Sequence, residues 1–280
     1  MDNREIGEEL SQLARLLFDS AANKWYGSIG IEVFAGLLAA VLAILNIPDD
    51  WHIFGAVFGA GLLLTAYSLR LQFDDQYETA ETMRRQALFS EALGWPVSRL
   101  QMSEWRQKAG SKLRKELQST PRPEHYYSTK KEIGPQRLAE MTLESAFYTR
   151  HLYLRLSSIV WWITGAALVM SFIVISIALT NAIPTSVDLI IAQFIYALIP
   201  ILLTIDLVGW GLRLRRVHNQ IREVEEGLDR SIEQPSVDLT QVIRLVSEYN
   251  CQVVGGLPIH KWFYHRWHDE IEELWLQRWQ

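Results

Sequence analysis

The chain has 280 residues, a formal net charge of −5 at pH 7 and a single cysteine. One cysteine excludes an internal disulfide framework and is typical of a reducing compartment. The net charge averages an apolar part and a strongly charged part, so it excludes no class of partner. The acidic beginning MDNREIGEEL is not expected to act as a signal peptide, so the first apolar segment would itself direct membrane insertion.

Four apolar segments of membrane-spanning length alternate with charged sequence. They predict an all-α membrane protein with two transmembrane helical hairpins and a helical cytoplasmic domain. The four predicted spans are Ile31–Ile47, Ile53–Leu69, Leu156–Leu179 and Leu189–Ile205. The predicted organisation is an N-terminal cytoplasmic helix (1–27), a first hairpin (28–69), a cytoplasmic helical region (70–155), a second hairpin (156–212) and C-terminal cytoplasmic helices (213–280).

The basic residues predict the orientation of these spans. All 27 Lys and Arg residues lie before Ile31, between Arg70 and Arg155, or from Arg213 onward. The connections within the two hairpins contain neither cation. Because cytoplasmic loops carry the excess of Lys and Arg, both termini are predicted to be cytoplasmic, with the lipid bilayer as the first partner.

Apolar residues at helical spacing predict the first half of the cytoplasmic part. An opening helix runs from about Glu5 to Lys24, and the helix of the second span continues to Leu93, where Gly94-Trp95-Pro96 ends it. Ser98 resembles the N-cap of a helix that reaches about Gln118. After a predicted loop, a helix that begins at Pro135 leads into the third span.

The sequence after the fourth span predicts three further helices. Residues 214–228 carry an apolar, heptad-like stripe that needs a partner helix. That partner is either the helix after the second span in the same subunit or its copy in a neighbouring subunit. Pro235 ends the run, and Leu239–Val253 and Ile259–Trp279 are predicted as amphipathic helices.

The common catalytic patterns are not found in the sequence. There is no Gly-rich phosphate loop, nucleophile elbow, zinc-binding His-Glu-x-x-His or cysteine pair. His260, His265 and His268 lie among carboxylates near the C-terminus, and a solvated amphipathic helix explains them better than a metal site does. The sequence therefore predicts no enzyme, no catalytic residue, no cofactor and no metal.

Polar residues in or beside the spans are the pore or inner-mouth candidates, because an unpartnered charge in lipid is costly. Glu32 begins the first span, Asp206 follows the fourth, and Gln193 is a weaker candidate within the fourth. One interpretation pairs the two acids with nearby cations as interface anchors. The other places them on a water-filled lumen, where an oligomer would repeat them as a ring that favours cations.

Three residues of the spans concern helix packing. Gly55 and Gly59 form a Gly-x-x-x-Gly motif in the second span, which permits close helix approach either within the bundle or between subunits. Pro200 removes one backbone hydrogen bond from the fourth span, which predicts either a gate hinge or an ordinary packing kink.

Basic residues are concentrated between Arg99 and Lys131. Three interpretations remain open: attraction to anionic headgroups, a helix surface that is solvated or paired with the acidic C-terminal helix, and recognition of a phosphate-bearing ligand by Arg and Lys with stacking tyrosines. The ligand-binding candidates are Arg106, Lys108, Lys112, Arg114, Lys115, Arg122, Tyr126, Tyr127, Lys130 and Lys131.

The order of these features resembles the SMODS-associated four-transmembrane effector family, which are pore-formers of bacterial antiphage defence. The resemblance rests on the opening helix before a first hairpin and on LGWPVSRL soon after it. It also rests on HYYSTKKEIGPQRLAEMTLESAFYTRHL before the second hairpin and on LPIHKWFYHRWHDEIEELW near the end. As an architecture it covers nearly the whole chain.

The resemblance implies an abortive-infection effector of the bacterial inner membrane. In such systems a sensor nucleotidyltransferase makes a cyclic nucleotide during infection, and the effector then opens or disrupts the membrane. It implies a homo-oligomer that binds the cyclic nucleotide on its cytoplasmic side and no nucleic acid polymer. The alternative hypothesis is a membrane-anchored helical scaffold that recruits a cytoplasmic protein partner without forming a pore.

Overall fold

The computed structural model describes residues 3–44, 49–119, 127–179 and 206–278. Within these ranges the chain forms seven α-helices and no strands. The helices are α1 (Asn3–Ile44), α2 (Asp49–Leu93), α3 (Arg99–Ser119), α4 (Pro135–Leu179), α5 (Leu207–Ile232), α6 (Leu239–Val254) and α7 (Lys261–Arg278). The all-α prediction is confirmed for this part of the chain.

The chain divides into two compact units. The polar unit comprises Met1–Ala22, Phe73–Arg155 and Arg213–Gln280, and the apolar unit comprises Asn23–Gln72 and Leu156–Leu212. The membrane and cytoplasmic assignments of the predicted segments stay predictions.

The end of α2 and the start of α3 follow the predicted signals. Gly94 has a φ of 70°, and its N–H donates to the carbonyl of Ser90 at 3.0 Å. This left-handed residue is the usual glycine stop of a helix, because a Cβ would be strained there. The carbonyl of Ser98 accepts from the N–H of Met102 at 3.0 Å, so α3 begins directly after the predicted N-cap.

The apolar face predicted for α3 is buried within the polar unit. Its row consists of Met102, Trp105, Ala109 and Leu113, and it joins a core cluster with Leu10 and other residues of α1 and α2. The sequence prediction missed a kink inside this helix at Gly110, which has φ 75° and ψ 173°. Only glycine adopts that backbone conformation at little cost, so the kink keeps both halves of α3 packed on the same core.

The stripe on α5 is buried, and other residues of the same helix contact α4, α6 and α7. The five stripe residues Leu214, Val217, Ile221, Val224 and Leu228 are each at most 4% exposed. Glu225 of the same helix forms a salt bridge with Arg150 of α4 at 2.8 Å and another with Arg278 of α7. Leu245 of α6 packs against Gly227. These contacts join α5 to α4, α6 and α7. The predicted partner of the stripe itself, the helix after the second span in the same or a neighbouring subunit, stays a prediction.

Two helices, α2 and α4, are long and apolar enough to cross a membrane by length and composition. The prediction of four spans is thus supported in part. The first predicted span lies on α1, where only the fourteen residues from Ile31 to Ile44 are described and one of them is Glu32. The fourth predicted span lies outside the described residues.

The helices of the apolar unit carry many exposed apolar side chains. Soluble monomers rarely expose large contiguous apolar surfaces, so this unit needs an apolar environment or partner. The residues more than 60% exposed in this unit are Ile53, Phe54, Val57, Leu64, Trp162, Leu168 and Phe172.

Candidate ligand-binding cavity

The polar unit contains a cavity of about 880 Å³. Its walls are formed by α1, α2, α4, α6, α7, the connection between the last two helices, and a segment before α4. A volume of this size accommodates a small molecule such as a nucleotide.

The long helices present the cavity with polar residues at helical spacing. On each helix these residues recur at steps of three or four, so they share one face. They are Ser11, Arg15 and Asp19 on α1, Tyr77, Glu81 and Arg84 on α2, and Ser145, Tyr148 and Thr149 on α4.

Tyrosines dominate the aromatic part of the lining. The six are Tyr77, Tyr127, Tyr148, Tyr153, Tyr249 and Tyr264. Burial raises the pKa of both Tyr77 and Tyr153 well above the usual value, so their hydroxyls stay protonated and act as neutral hydrogen-bond groups. Rings of this kind offer flat apolar faces together with hydroxyl donors, which suits a planar heterocycle.

A buried ionic network forms one wall of the cavity. The guanidinium of Arg84 donates to Glu81 at 2.9 Å and to the side-chain carbonyl of Asn250 at 2.7 Å. It also lies 5.4 Å from the ring centroid of Tyr249. Burial alone would lower the pKa of Arg84, but the charge and the hydrogen bond of Glu81, together with Tyr249 and Tyr127, outweigh burial and raise it. Since Glu81 is only 2% exposed, each ion depends on the other for its charge compensation.

A close backbone approach shapes a second wall. Tyr153 is 2% exposed, and its hydroxyl donates to the carbonyl of Leu257 at 3.3 Å. A Cβ on Gly256 would lie 2.1 Å from that hydroxyl oxygen. The glycine is therefore required for α4 to pack against the connection between α6 and α7, where no side chain fits.

Residues 127–131, here called the strap, are tied to α4 by carboxylates. Glu144 accepts from the backbone N–H of Ser128 at 2.9 Å and from its hydroxyl at 2.7 Å. Thr129 donates to Glu140 one turn earlier. These bonds place Tyr127 and Lys130 in the cavity lining.

Stability should depend on pH through Glu144. Burial, with a smaller contribution from the charge of Glu272, raises the pKa of Glu144 above its ordinary value of 4.5. The folded state therefore binds this proton more tightly than the unfolded chain, so stability from this group is lost as pH rises from 4.5 through the higher folded pKa. Glu144→Gln should flatten that part of the curve of melting temperature against pH. An unchanged slope in the variant would contradict this assignment.

The lining carries five cations and four carboxylates. The cations are Arg15, Arg84, Lys130, Arg137 and Lys261, and the carboxylates are Asp19, Glu81, Glu144 and Glu272. The formal excess of one positive charge leaves the cavity suited to an anionic ligand that also presents flat apolar surface.

The predicted ligand residues fall into three places. Tyr127 and Lys130 line the large cavity. Arg106 and Arg114 line a second cavity of about 510 Å³ beside α3. Lys108, Lys112, Lys115 and Lys131 are exposed and line neither cavity, while Arg122 and Tyr126 lie outside the described residues.

The cations of α3 face the surface of the polar unit. Arg106 pairs with Glu9 of α1 at 2.6 Å, and Lys108 lies 4.0 Å from Asp75 of α2. These two ion pairs are made with α1 and α2, and not with the acidic C-terminal helix named in the sequence interpretation. The fold therefore separates the eight ligand candidates of this group that the structure describes.

The pore candidates and packing residues belong to the apolar unit. Glu32 of α1 accepts from Arg70 of α2 at 2.6 Å, the pairing proposed in the anchor interpretation. Asp206 is exposed, and its carboxylate accepts from the N–H of Gly209 at 3.0 Å at the start of α5. Gln193 and Pro200 lie outside the described residues. A pore role for these residues stays a prediction.

The two glycines of the Gly-x-x-x-Gly motif have different surroundings. A Cβ on Gly55 would lie 2.2 Å from Leu42 of α1, so this glycine permits close packing of α1 and α2 within the chain. A Cβ on Gly59 would meet nothing within 4 Å.

Sequence reasoning missed most of the cavity. Arg15, Asp19, Arg84, Tyr153 and Tyr249 were not among the candidates. A signal was available, because polar residues recur at helical spacing on α1, α2 and α4 beside faces that are otherwise apolar. A prediction based on one basic stretch of sequence does not use this signal, because the lining cations of the cavity come one or two at a time from several elements.

No known protein family, curated protein or solved structure matches this chain.

Proposed function

We propose that this protein is an oligomeric pore-forming or membrane-disrupting effector of the bacterial inner membrane, in an antiphage abortive-infection system. A cyclic nucleotide, made by a sensor nucleotidyltransferase, binds the cavity of the polar unit on the cytoplasmic side. The observation that carries the proposal is one chain with both a tyrosine- and cation-lined cavity of about 880 Å³ and long, exposed apolar helices.

The cavity supports a nucleotide in particular. Tyrosine rings stack on bases, and guanidinium and ammonium groups bind phosphate oxygens. The resemblance to the four-transmembrane effector family supplies the biological setting.

The apolar helices support the membrane part of the proposal. The proposed topology has four spans, with the charged segments and both termini in the cytoplasm. Helices α2 and α4 meet the length and composition of a span. The third predicted span contains no charged residue, and α4 extends to its end at Leu179. The exclusion of all 27 Lys and Arg residues from the hairpin connections supports the orientation.

The proposed gating uses helices that are common to the cavity and to the apolar segments. Helices α1, α2 and α4 each contribute cavity-lining residues and continue into an apolar stretch. A ligand that binds more tightly to one arrangement of these helices shifts the population toward it. The ligand-bound arrangement is the open one in this proposal.

Leu64→Arg tests the membrane assignment. Leu64 of α2 and Leu100 of α3 are both 68% exposed, but only Leu64 belongs to a predicted span. A charge near a span centre costs about 2.5–3.5 kcal/mol or more, so Leu64→Arg should reduce the fraction of protein that resists alkaline extraction from membranes. Leu100→Arg is the matched control and should leave that fraction unchanged. Equal behaviour of the two variants would count against the assignment.

The scaffold alternative differs in its response to charge-neutralising variants. A pure scaffold keeps its function in Glu32→Gln and Asp206→Asn but loses it when the buried stripe of α5 is made polar. A pore that uses those carboxylates changes its ion selectivity in the same two variants.

Inducible expression with the nucleotide-producing enzyme provides the cellular test. The pore proposal expects collapse of the membrane potential and arrest of growth. Intact potential and normal growth, with nucleotide binding demonstrated, would exclude it.

A further inference from the structure

One side of the cavity collects cations from two helices. Arg15 of α1 and Lys261 at the start of α7 both line the cavity, and both side chains are exposed. The guanidinium carbon of Arg15 lies 5.9 Å from the ring centroid of Tyr264, which fixes the approach of α1 to α7. The two helices thus bring positive charge to the same edge of the lining.

Asp19 is the carboxylate in the middle of this group. It lies one helical turn after Arg15 and is within electrostatic reach of Lys261, Arg15, His265 and His260. Burial raises the pKa of Asp19, although these four groups act to lower it. One half-buried carboxylate therefore stands among two permanent cations and two imidazoles.

Of the other three cations of the lining, Arg84 and Arg137 are engaged within the protein, and Lys130 belongs to the strap and not to α1 or α7. Arg84 is held by Glu81 and Asn250, and Arg137 donates to the carbonyl of Lys131 at 2.7 Å. In the part of the chain that the structure describes, neither Arg15 nor Lys261 has a salt bridge. Their donors are available to a ligand, which the donors of Arg84 are not.

We infer that Arg15 and Lys261 form the subsite for the phosphate groups of the ligand, and that Asp19 is an internal negative charge which a bound phosphate must oppose. This inference rests on the proposed function, because it assigns an orientation to the nucleotide in the same cavity. The phosphates lie at the edge formed by α1 and α7, and the bases lie against the tyrosines. Specific phosphodiester recognition then requires both cations, whereas a nucleoside lacks the group that they bind.

The negative charge of Asp19 should affect ligand affinity in the opposite direction from the two cations. Removing a cation weakens binding of an anionic ligand, whereas removing the charge of Asp19 strengthens it. A residue with only a structural role would not produce an increase in affinity. Asp19→Asn keeps the size of the side chain, so this variant isolates the charge.

The test uses the full chain in detergent and isothermal titration calorimetry. The probes are cyclic di-AMP, cyclic di-GMP, 3′,5′-cyclic AMP, inorganic pyrophosphate and adenosine. A hydrogen bond to a charged group contributes about 1.5–3 kcal/mol, so Arg15→Gln and Lys261→Gln should each weaken binding of the phosphate-bearing probe by about tenfold or more. Each should also reduce the salt dependence of its dissociation constant. Asp19→Asn should bind the same probe several-fold more tightly.

Arg222→Gln is the matched control, because Arg222 is an exposed cation of α5 outside the lining and this variant should bind like the wild type. If a cyclic nucleotide binds the wild type and both cation variants equally, the subsite is overturned and the proposed function stands. If pyrophosphate binds through Arg15 and Lys261 but no nucleotide does, the subsite stands and the nucleotide-gated function fails. If no phosphate-bearing probe binds, both are overturned.

Discussion

Replacing Arg84 with alanine should lower the free energy of unfolding of the protein by about 3–5 kcal/mol, because it leaves a buried carboxylate without its partner. Glu81 is 2% exposed, and Arg84 donates to it at 2.9 Å. The loss of Arg84 also removes the donor to Asn250 and the cation beside the ring of Tyr249. Thermal and denaturant unfolding in detergent measure the effect, and the proposed nucleotide binding should be lost with the shape of this wall.

Arg85→Ala is the matched control. Arg85 approaches the same carboxylate at 3.8 Å, but its side chain is 41% exposed. An exposed pair contributes about 0–1 kcal/mol, so this variant should unfold close to the wild type. Equal losses in the two variants would show that the Arg84 network is not what compensates the charge of Glu81.

Gly256→Ala should destabilise the protein by about 1–3 kcal/mol, because the added methyl group overpacks a filled site. Its Cβ would lie 2.1 Å from the hydroxyl oxygen of Tyr153 and 2.7 Å from the ring carbon that bears it. Tyr153 is 2% exposed and has little room to withdraw. Since it lines the cavity, ligand affinity should fall together with the melting temperature.

The adjacent glycine provides the control for that clash. A Cβ on Gly255 would meet its nearest atom, the carbonyl oxygen of Gln252, at an ordinary 3.5 Å. Gly255→Ala should therefore stay within about 0.5 kcal/mol of the wild type. Tyr153→Phe combined with Gly256→Ala should recover part of the loss, since it removes the oxygen at 2.1 Å but keeps the ring carbon at 2.7 Å. No recovery in the double variant would place the strain elsewhere.

Helix boundaries were the most predictable part of this molecule. Gly94, Ser98, Pro135 and Pro235 are local signals, and the helices begin or end at or near them, as predicted. The apolar rows of α3 and α5 were predictable as well, because the helical period alone decides which residues share a face, and both rows are buried. The kink at Gly110 escaped prediction, since an isolated glycine within a helical pattern does not reveal its φ angle.

The opening helix was predicted too short. It was expected to end near Lys24, but α1 continues to Ile44 through Gly27 and Gly30. Each glycine inside a helix costs only about 1 kcal/mol, so two of them do not end a helix that is otherwise well supported.

The cavity was the least predictable feature, because it depends on which helices meet. Tyr77, Tyr153 and Tyr249 are far apart in sequence, and the fold brings them to one lining. The ligand site was predicted in the basic stretch between Arg99 and Lys131, but the cations of α3 in this stretch lie on the surface of the polar unit. Among the ligand candidates of that stretch that the structure describes, Tyr127 and Lys130 line the large cavity.

The most direct measurement is dye release from sealed liposomes that contain the purified full-length protein. With a cyclic nucleotide that binds the protein, the proposed function predicts rapid release. Without nucleotide, and with adenosine alone, the vesicles should stay sealed. Vesicles that retain their dye when the protein is inserted and saturated with the nucleotide would contradict a ligand-gated membrane pore and would favour the scaffold.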